Sequence, residues 1–118
     1  MAYSHRPPIY KSVAPVGITY VGIPVHDGGI LGAYIAWKDA TSSAAITLEL
    51  TSVGAEDAPV GTAGTWQWKD SGIAIAGPAA SAPGAVLVNV ENVRQWRARL
   101  KIVATAASDL EIYDGIRS

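Results

Sequence analysis

The sequence predicts an all-β fold: a single β-sandwich or jelly-roll-like domain of about eight short antiparallel strands, preceded by an extended N-terminal arm. Three observations carry that prediction. Several short runs alternate apolar and polar residues at period two, and residues 45–51 (AITLELT) do so most cleanly. Gly-, Pro-, Asp- and Ser-rich stretches with turn chemistry separate the runs. The longest stretch with a decisive pattern, residues 91–115, also reads as strands, and no segment makes a convincing helix.

Taken in order, residues 1–17 form the arm and 18–118 the sandwich. Pro7, Pro8 and Pro15 deny helix to the arm. Tyr3, Ile9, Tyr10 and Val13 give it apolar side chains, so it is expected to pack on its own domain or on a neighbour. Residues 18–25 read as a first strand, with Gly22 and Pro24 marking an edge or a bulge. His26-Asp27-Gly28-Gly29 has the chemistry of a turn with positive φ. In the strand over 30–38, Leu31, Ala33, Ile35 and Trp37 share one face, and Gly32, Tyr34, Ala36 and Lys38 the other. After a polar turn, the strand over 45–51 turns Ile46, Leu48 and Leu50 inward and Thr47, Glu49 and Thr51 outward. Residues 53–64 form a long loop, of a length that is often functional or interfacial. A short strand over 65–69 puts Trp66 and Trp68 on one face. Asp70-Ser71-Gly72 turns the chain into a brief strand at 73–76, a small-residue loop follows, and 85–90 is an apolar strand.

The stretch over 91–115 holds four of the nine basic residues. Trp96, Ala98, Leu100, Ile102 and Ala104 point one way, and Arg97, Arg99 and Lys101 the other. A turn at 106–109 leads to Leu110 and Ile112, with Glu111 and Tyr113 opposite. The reading is a hairpin in which Glu111 faces the basic row, a charge match of roughly 0.2–1 kcal/mol. A helical reading competes, since Val93, Trp96, Leu100, Val103 and Ala107 fall at three- and four-residue steps. The β-branched Ile102, Val103, Thr105 and Ile112 favour strands.

Composition narrows the function. The charged share is 16%, against about 25% in typical soluble domains. Either part of the surface is covered by other subunits, or the surface is simply neutral and rich in small residues. A net charge of −1 argues against a nucleic-acid partner. Without cysteine there is no disulfide or thiolate chemistry. The N-terminus has no apolar core of signal-peptide length, and no apolar run approaches the roughly 20 residues of a membrane span. A soluble protein made in a cytoplasm is expected.

No catalytic, metal or cofactor constellation emerges, and the chain is not expected to be an enzyme. His5 and His26 lack metal-ligand spacing, and Glu56-Asp57 offers too few ligands for a calcium cage. Residues 61–65 (GTAGT) lack the lysine and following helix of a phosphate loop. Arg94, Arg97, Arg99 and Lys101 are read as a solvated strand face or a subunit contact. Trp37 and Trp96 share faces with aliphatic residues and are assigned to the core. Trp66 and Trp68 are the pair expected to be partly exposed, as aromatic interface anchors.

The succession of features resembles a known kind of protein. A Pro-containing arm precedes a Gly-Gly turn into a strand ending in Trp (GGILGAYIAW). A Thr-rich strand (AITLELTS), a Trp strand (GTWQW) and a closing run (NVRQWRARLKIVATAASDLEIYDG) complete it. From Gly17 onward this is similar to the small β-sandwich decoration, or cement, proteins of tailed-bacteriophage capsids. The resemblance implies a structural virion protein, made in the bacterial cytoplasm and placed on the capsid exterior. It implies a homotrimer bound where major capsid subunits meet, with no cofactor, no direct nucleic-acid contact and no membrane. Carried onto this chain, the adhesion residues would be Tyr3, Arg6, Pro7, Pro8, Ile9 and Tyr10 in the arm, with Trp66, Trp68, Arg97 and Arg99 as further candidates. Two alternatives stand beside it: a carbohydrate- or receptor-binding module presenting Trp66, Trp68 and Tyr34, and a phage tail or baseplate component.

Overall fold

The fold is taken from a computed structural model that describes residues 7–39, 44–63, 66–76 and 84–116. Alternation sends large apolar side chains to one face of each run, and eight strands result: β1 (Tyr10–Ala14), β2 (Gly17–Ile23), β3 (Leu31–Asp39), β4 (Ala44–Thr51), β5 (Lys69–Ala76), β6 (Gly84–Val90), β7 (Arg97–Ala104) and β8 (Ser108–Asp114). They pair into two four-stranded sheets, ordered β1-β8-β3-β6 and β2-β7-β4-β5, and every pairing is antiparallel. Consecutive strands switch sheets at each step except β4 to β5, which is the strand order of an eight-stranded jelly roll.

The two inner faces meet in one core. Leu31, Ala33, Ile35 and Trp37 of β3 and Leu110 and Ile112 of β8 come from one sheet. Val21 and Ile23 of β2, Ile46 and Leu48 of β4, and Ala98, Leu100 and Ile102 of β7 come from the other. All are buried, so the faces assigned to β3 and β4 from alternation hold. The edge position expected for the strand carrying Gly22 holds as well, since β2 ends its sheet.

Four expectations need correction. Residues 98–104 and 110–112 are strands, but they do not form a hairpin: β7 lies between β2 and β4, β8 between β1 and β3, and Thr105–Ala107 cross from one sheet to the other. Period two reports which face is buried, not which sheet carries it, and two inner faces packed on one core read alike. The arm expected to run to residue 17 instead contributes β1, with Tyr10 opposite Ile112 and Ala14 opposite Ser108. Asp70-Ser71-Gly72 is not a turn between two strands but an irregularity inside β5, where the register to β4 shifts between Thr47 and Glu49. Of the short strand expected over 65–69, Trp66, Gln67 and Trp68 lie ahead of β5 and Lys69 begins it. The expected count of eight strands therefore survives by compensation, with β1 gained and the two runs around residue 70 merged.

The loops at one end of the sandwich are tied to each other. His26 and Gly29 close the β2–β3 turn, where the Gly29 N–H donates to the His26 carbonyl at 3.0 Å. The Val93 N–H in the β6–β7 loop then donates to the Gly29 carbonyl at 2.8 Å. Gly29 has φ 72°, and a Cβ there would stand 2.4 Å from the Val93 carbonyl oxygen. Gly29→Ala is expected to cost at least roughly 1–3 kcal/mol from the backbone conformation alone, which a lowered midpoint in thermal unfolding would report.

Candidate functional site

The long β4–β5 loop folds back over the outer face of the β2-β7-β4-β5 sheet, and the basic row of β7 holds it there. The Arg99 Nε donates to Glu49 Oε1 at 2.7 Å, and its Nη2 lies 2.7 Å from the same oxygen. Its Nη1 donates to the carbonyls of Val60 at 2.5 Å and Thr62 at 2.6 Å. The Tyr20 ring covers one side at 3.8 Å, and the Trp68 ring is in contact at 4.4 Å. Arg97 extends the clamp, its Nη1 donating to the carbonyls of Val53 at 3.2 Å and Ala58 at 2.7 Å. The Trp68 indole N–H donates to the Pro59 carbonyl at 3.2 Å. Five loop carbonyls thereby find donors, and a loop of this length gains a fixed shape.

Arg99 therefore does not lie on a solvated strand face, while Arg97 is half-buried. Arg99 is 1% exposed, because a loop covers the outward face of its strand. Glu111 does not face that row either. It lies on the outer face of the other sheet, paired with Lys38 and accepting a hydrogen bond from the Tyr113 hydroxyl. Those two hydrogen bonds hold the Glu111 carboxyl below the usual range; the same contact with Glu111 raises both Lys38 and Tyr113. A lowered folded value means that the carboxylate contributes stability above its unfolded pKa of about 4.3 and loses that contribution as pH falls through the folded value. The raised Lys38 and Tyr113 work in the opposite sense, contributing below about pH 10 and losing it as pH rises through their folded values. Glu111→Gln is expected to flatten the acid side of the melting-temperature profile.

The tryptophans divide differently from the expected pairs. Trp37 is buried, as assigned. Trp96 is 81% exposed: it precedes β7 rather than beginning it, so the alternation of the strand does not reach it. Trp66 is 63% exposed and Trp68 only 3%, because Trp68 is the floor beneath the two arginines. Tyr34 stands on the outer face of the other sheet, 6.4 Å from Tyr113, so Trp66, Trp68 and Tyr34 do not form one platform.

Of the arm candidates, Tyr3 and Arg6 lie outside the described residues. Pro7 is exposed and Pro8 half-buried. The Ile9 N–H donates to the Ile112 carbonyl at 2.7 Å, and Tyr10 packs against the core. Glu56 and Asp57 are exposed in a turn closed by bonds from Asp57 and Ala58 to the Gly54 carbonyl. Among the described residues no group of three His, Cys, Asp or Glu side chains is placed to hold a metal ion. Among the described residues no helix is long and apolar enough to cross a membrane.

Two features escaped the sequence reading. Each sheet carries apolar side chains on its outer face: Leu87 beside its β3 partner Tyr34, and Ile18 beside its β7 partner Val103. The signal was present in residues 85–90, where Asn89 alone breaks an apolar run on both faces. The second feature is a cleft of about 430 Å³ at the end of the sandwich, whose walls include Ser52, Trp66, Gln67, Lys69, Asp70 and Gln95. Compared with known proteins, the chain matches no family model, no curated sequence and no solved structure.

Proposed function

We propose that this chain is a structural virion protein that decorates and stabilises a bacteriophage capsid, binding its outer surface between major capsid subunits as a homotrimer. The observation that carries the reading is the exposure of large apolar side chains on the outer faces of both sheets of a domain with few charges. Leu87 is 61% and Ile18 50% exposed, each beside a second exposed apolar residue, Tyr34 and Val103 respectively. Apolar patches that are not needed for the core favour protein contacts. Two different patches on two faces suit a closed ring, in which one face of each protomer meets the other face of its neighbour. Among the described residues the outer side of the edge strand β6 (GAVLVNV) pairs with no other strand and carries no charged residue, a surface that natural sheets rarely leave uncovered.

The strand β1 is committed to its own sheet, so adhesion by the arm falls to the residues ahead of Ile9. Light scattering on the full chain and on a chain lacking residues 1–8 tests both parts of the proposal, followed by mixing each with capsids that lack the protein. A trimeric mass for both, with capsid binding only by the full chain, is the expected result. A monomer that leaves capsids bare would overturn the proposal.

A further inference from the structure

We propose that the cleft between the β4–β5 and β6–β7 loops binds a neutral saccharide. Its volume of about 430 Å³ falls within the roughly 300–1,000 Å³ of small-molecule sites. One wall is the exposed Trp66 indole, a flat apolar surface against which the C–H face of a sugar ring can stack. Around it stand groups suited to ring hydroxyls: the carboxamides of Gln67 and Gln95, the Ser52 hydroxyl and the Asp70 carboxylate. Lys69 and Asp70 contribute opposite charges, which fits an uncharged ligand better than an anion or a cation.

Two details argue that the arrangement is built rather than incidental. Among the described residues, the Gln67 side-chain oxygen is buried and has no hydrogen-bond partner. Buried acceptors are nearly always satisfied, and a turn of the half-buried Gln67 side chain toward the cleft would bring this oxygen within reach of a sugar hydroxyl. The walls are also held from behind. Two residues along from Trp66, Trp68 is locked beneath Arg97 and Arg99; Asp70 Oδ1 accepts from the Gly72 N–H at 2.7 Å; and the Ser71 hydroxyl donates to the Leu48 carbonyl at 2.6 Å. The backbone that carries Trp66, Gln67 and Asp70 is held in place by these contacts, so less of the chain has to be ordered when a ligand arrives. The site is independent of the capsid reading, since a decorating protein and a tail protein alike can carry it.

The test is a nitrogen-edited NMR titration of the full chain with glucose, galactose, N-acetylglucosamine and their β-1,4-linked disaccharides. Saturable shifts are expected at the Trp66 indole N–H and the Gln67 and Gln95 carboxamides for at least one of these sugars. Trp66→Ala should weaken that binding by about tenfold or more. Trp96→Ala removes a more exposed indole that does not line the cleft, and it should titrate as the parent does. An absence of saturable shifts with every sugar overturns the proposal, and so does binding that survives Trp66→Ala or is lost with Trp96→Ala.

Discussion

Replacing Arg99 with methionine should destabilise the protein by about 3–5 kcal/mol, the cost of removing one partner from a buried ion pair. Methionine keeps much of the aliphatic stem but leaves Glu49 as an uncompensated carboxylate, and it strips the donor from the carbonyls of Val60 and Thr62. The β4–β5 loop should come loose while the sandwich persists, so limited proteolysis should cut within residues 53–63 before urea unfolds the core. Adding Glu49→Leu separates the two contributions. The double variant should recover the part that came from the stranded charge and not the part that came from the loop carbonyls. Equal stability of Arg99→Met and the parent would show that the clamp contributes nothing.

Trp68→Ala should cost about 3–5 kcal/mol, as large-to-small changes at buried aromatics do. Trp66→Ala should stay within about 0.5 kcal/mol of the parent, as exposed positions do. The two residues are near neighbours in sequence and identical in type, so urea midpoints compare their environments directly. Removal of Trp68 leaves Arg97 and Arg99 without the ring beneath them, and it frees the Pro59 carbonyl. Its effect should therefore be less than additive with Arg99→Met, because the two changes dismantle one unit.

Much of the fold was legible because it rests on local alternation. The inward faces of β3 and β4, and Ala98, Leu100 and Ile102 of β7, followed from period two alone. What failed was whatever depends on the third dimension. Thr105–Ala107 are small enough to look like a hairpin turn, yet they bridge two sheets, and nothing in their composition distinguishes these routes. The outward placement of Arg99 was read correctly, but a face is solvated only if no loop returns across it, and the returning segment lies some forty residues earlier. Trp96 failed for a local reason: the alternation was carried one residue beyond the strand. The cleft could not be read at all, since Gln67 and Gln95 come from different loops and ordinary surface glutamines look the same.

The strand order also governs how the chain can be made. Tyr10 pairs with Ile112, about a hundred residues further on, and among the six strand pairings only β4 with β5 joins consecutive strands. On a ribosome moving at about 5–20 residues per second, β1 is without its partner for roughly 5–20 s. The apolar strands made in that interval have few charged residues to discourage pairing with other nascent chains. Non-local pairing of this kind also places folding on the millisecond-to-second scale once synthesis ends. Yield of the folded protein is therefore expected to respond to translation speed, temperature and chaperone supply as well as to the stability of the finished sandwich.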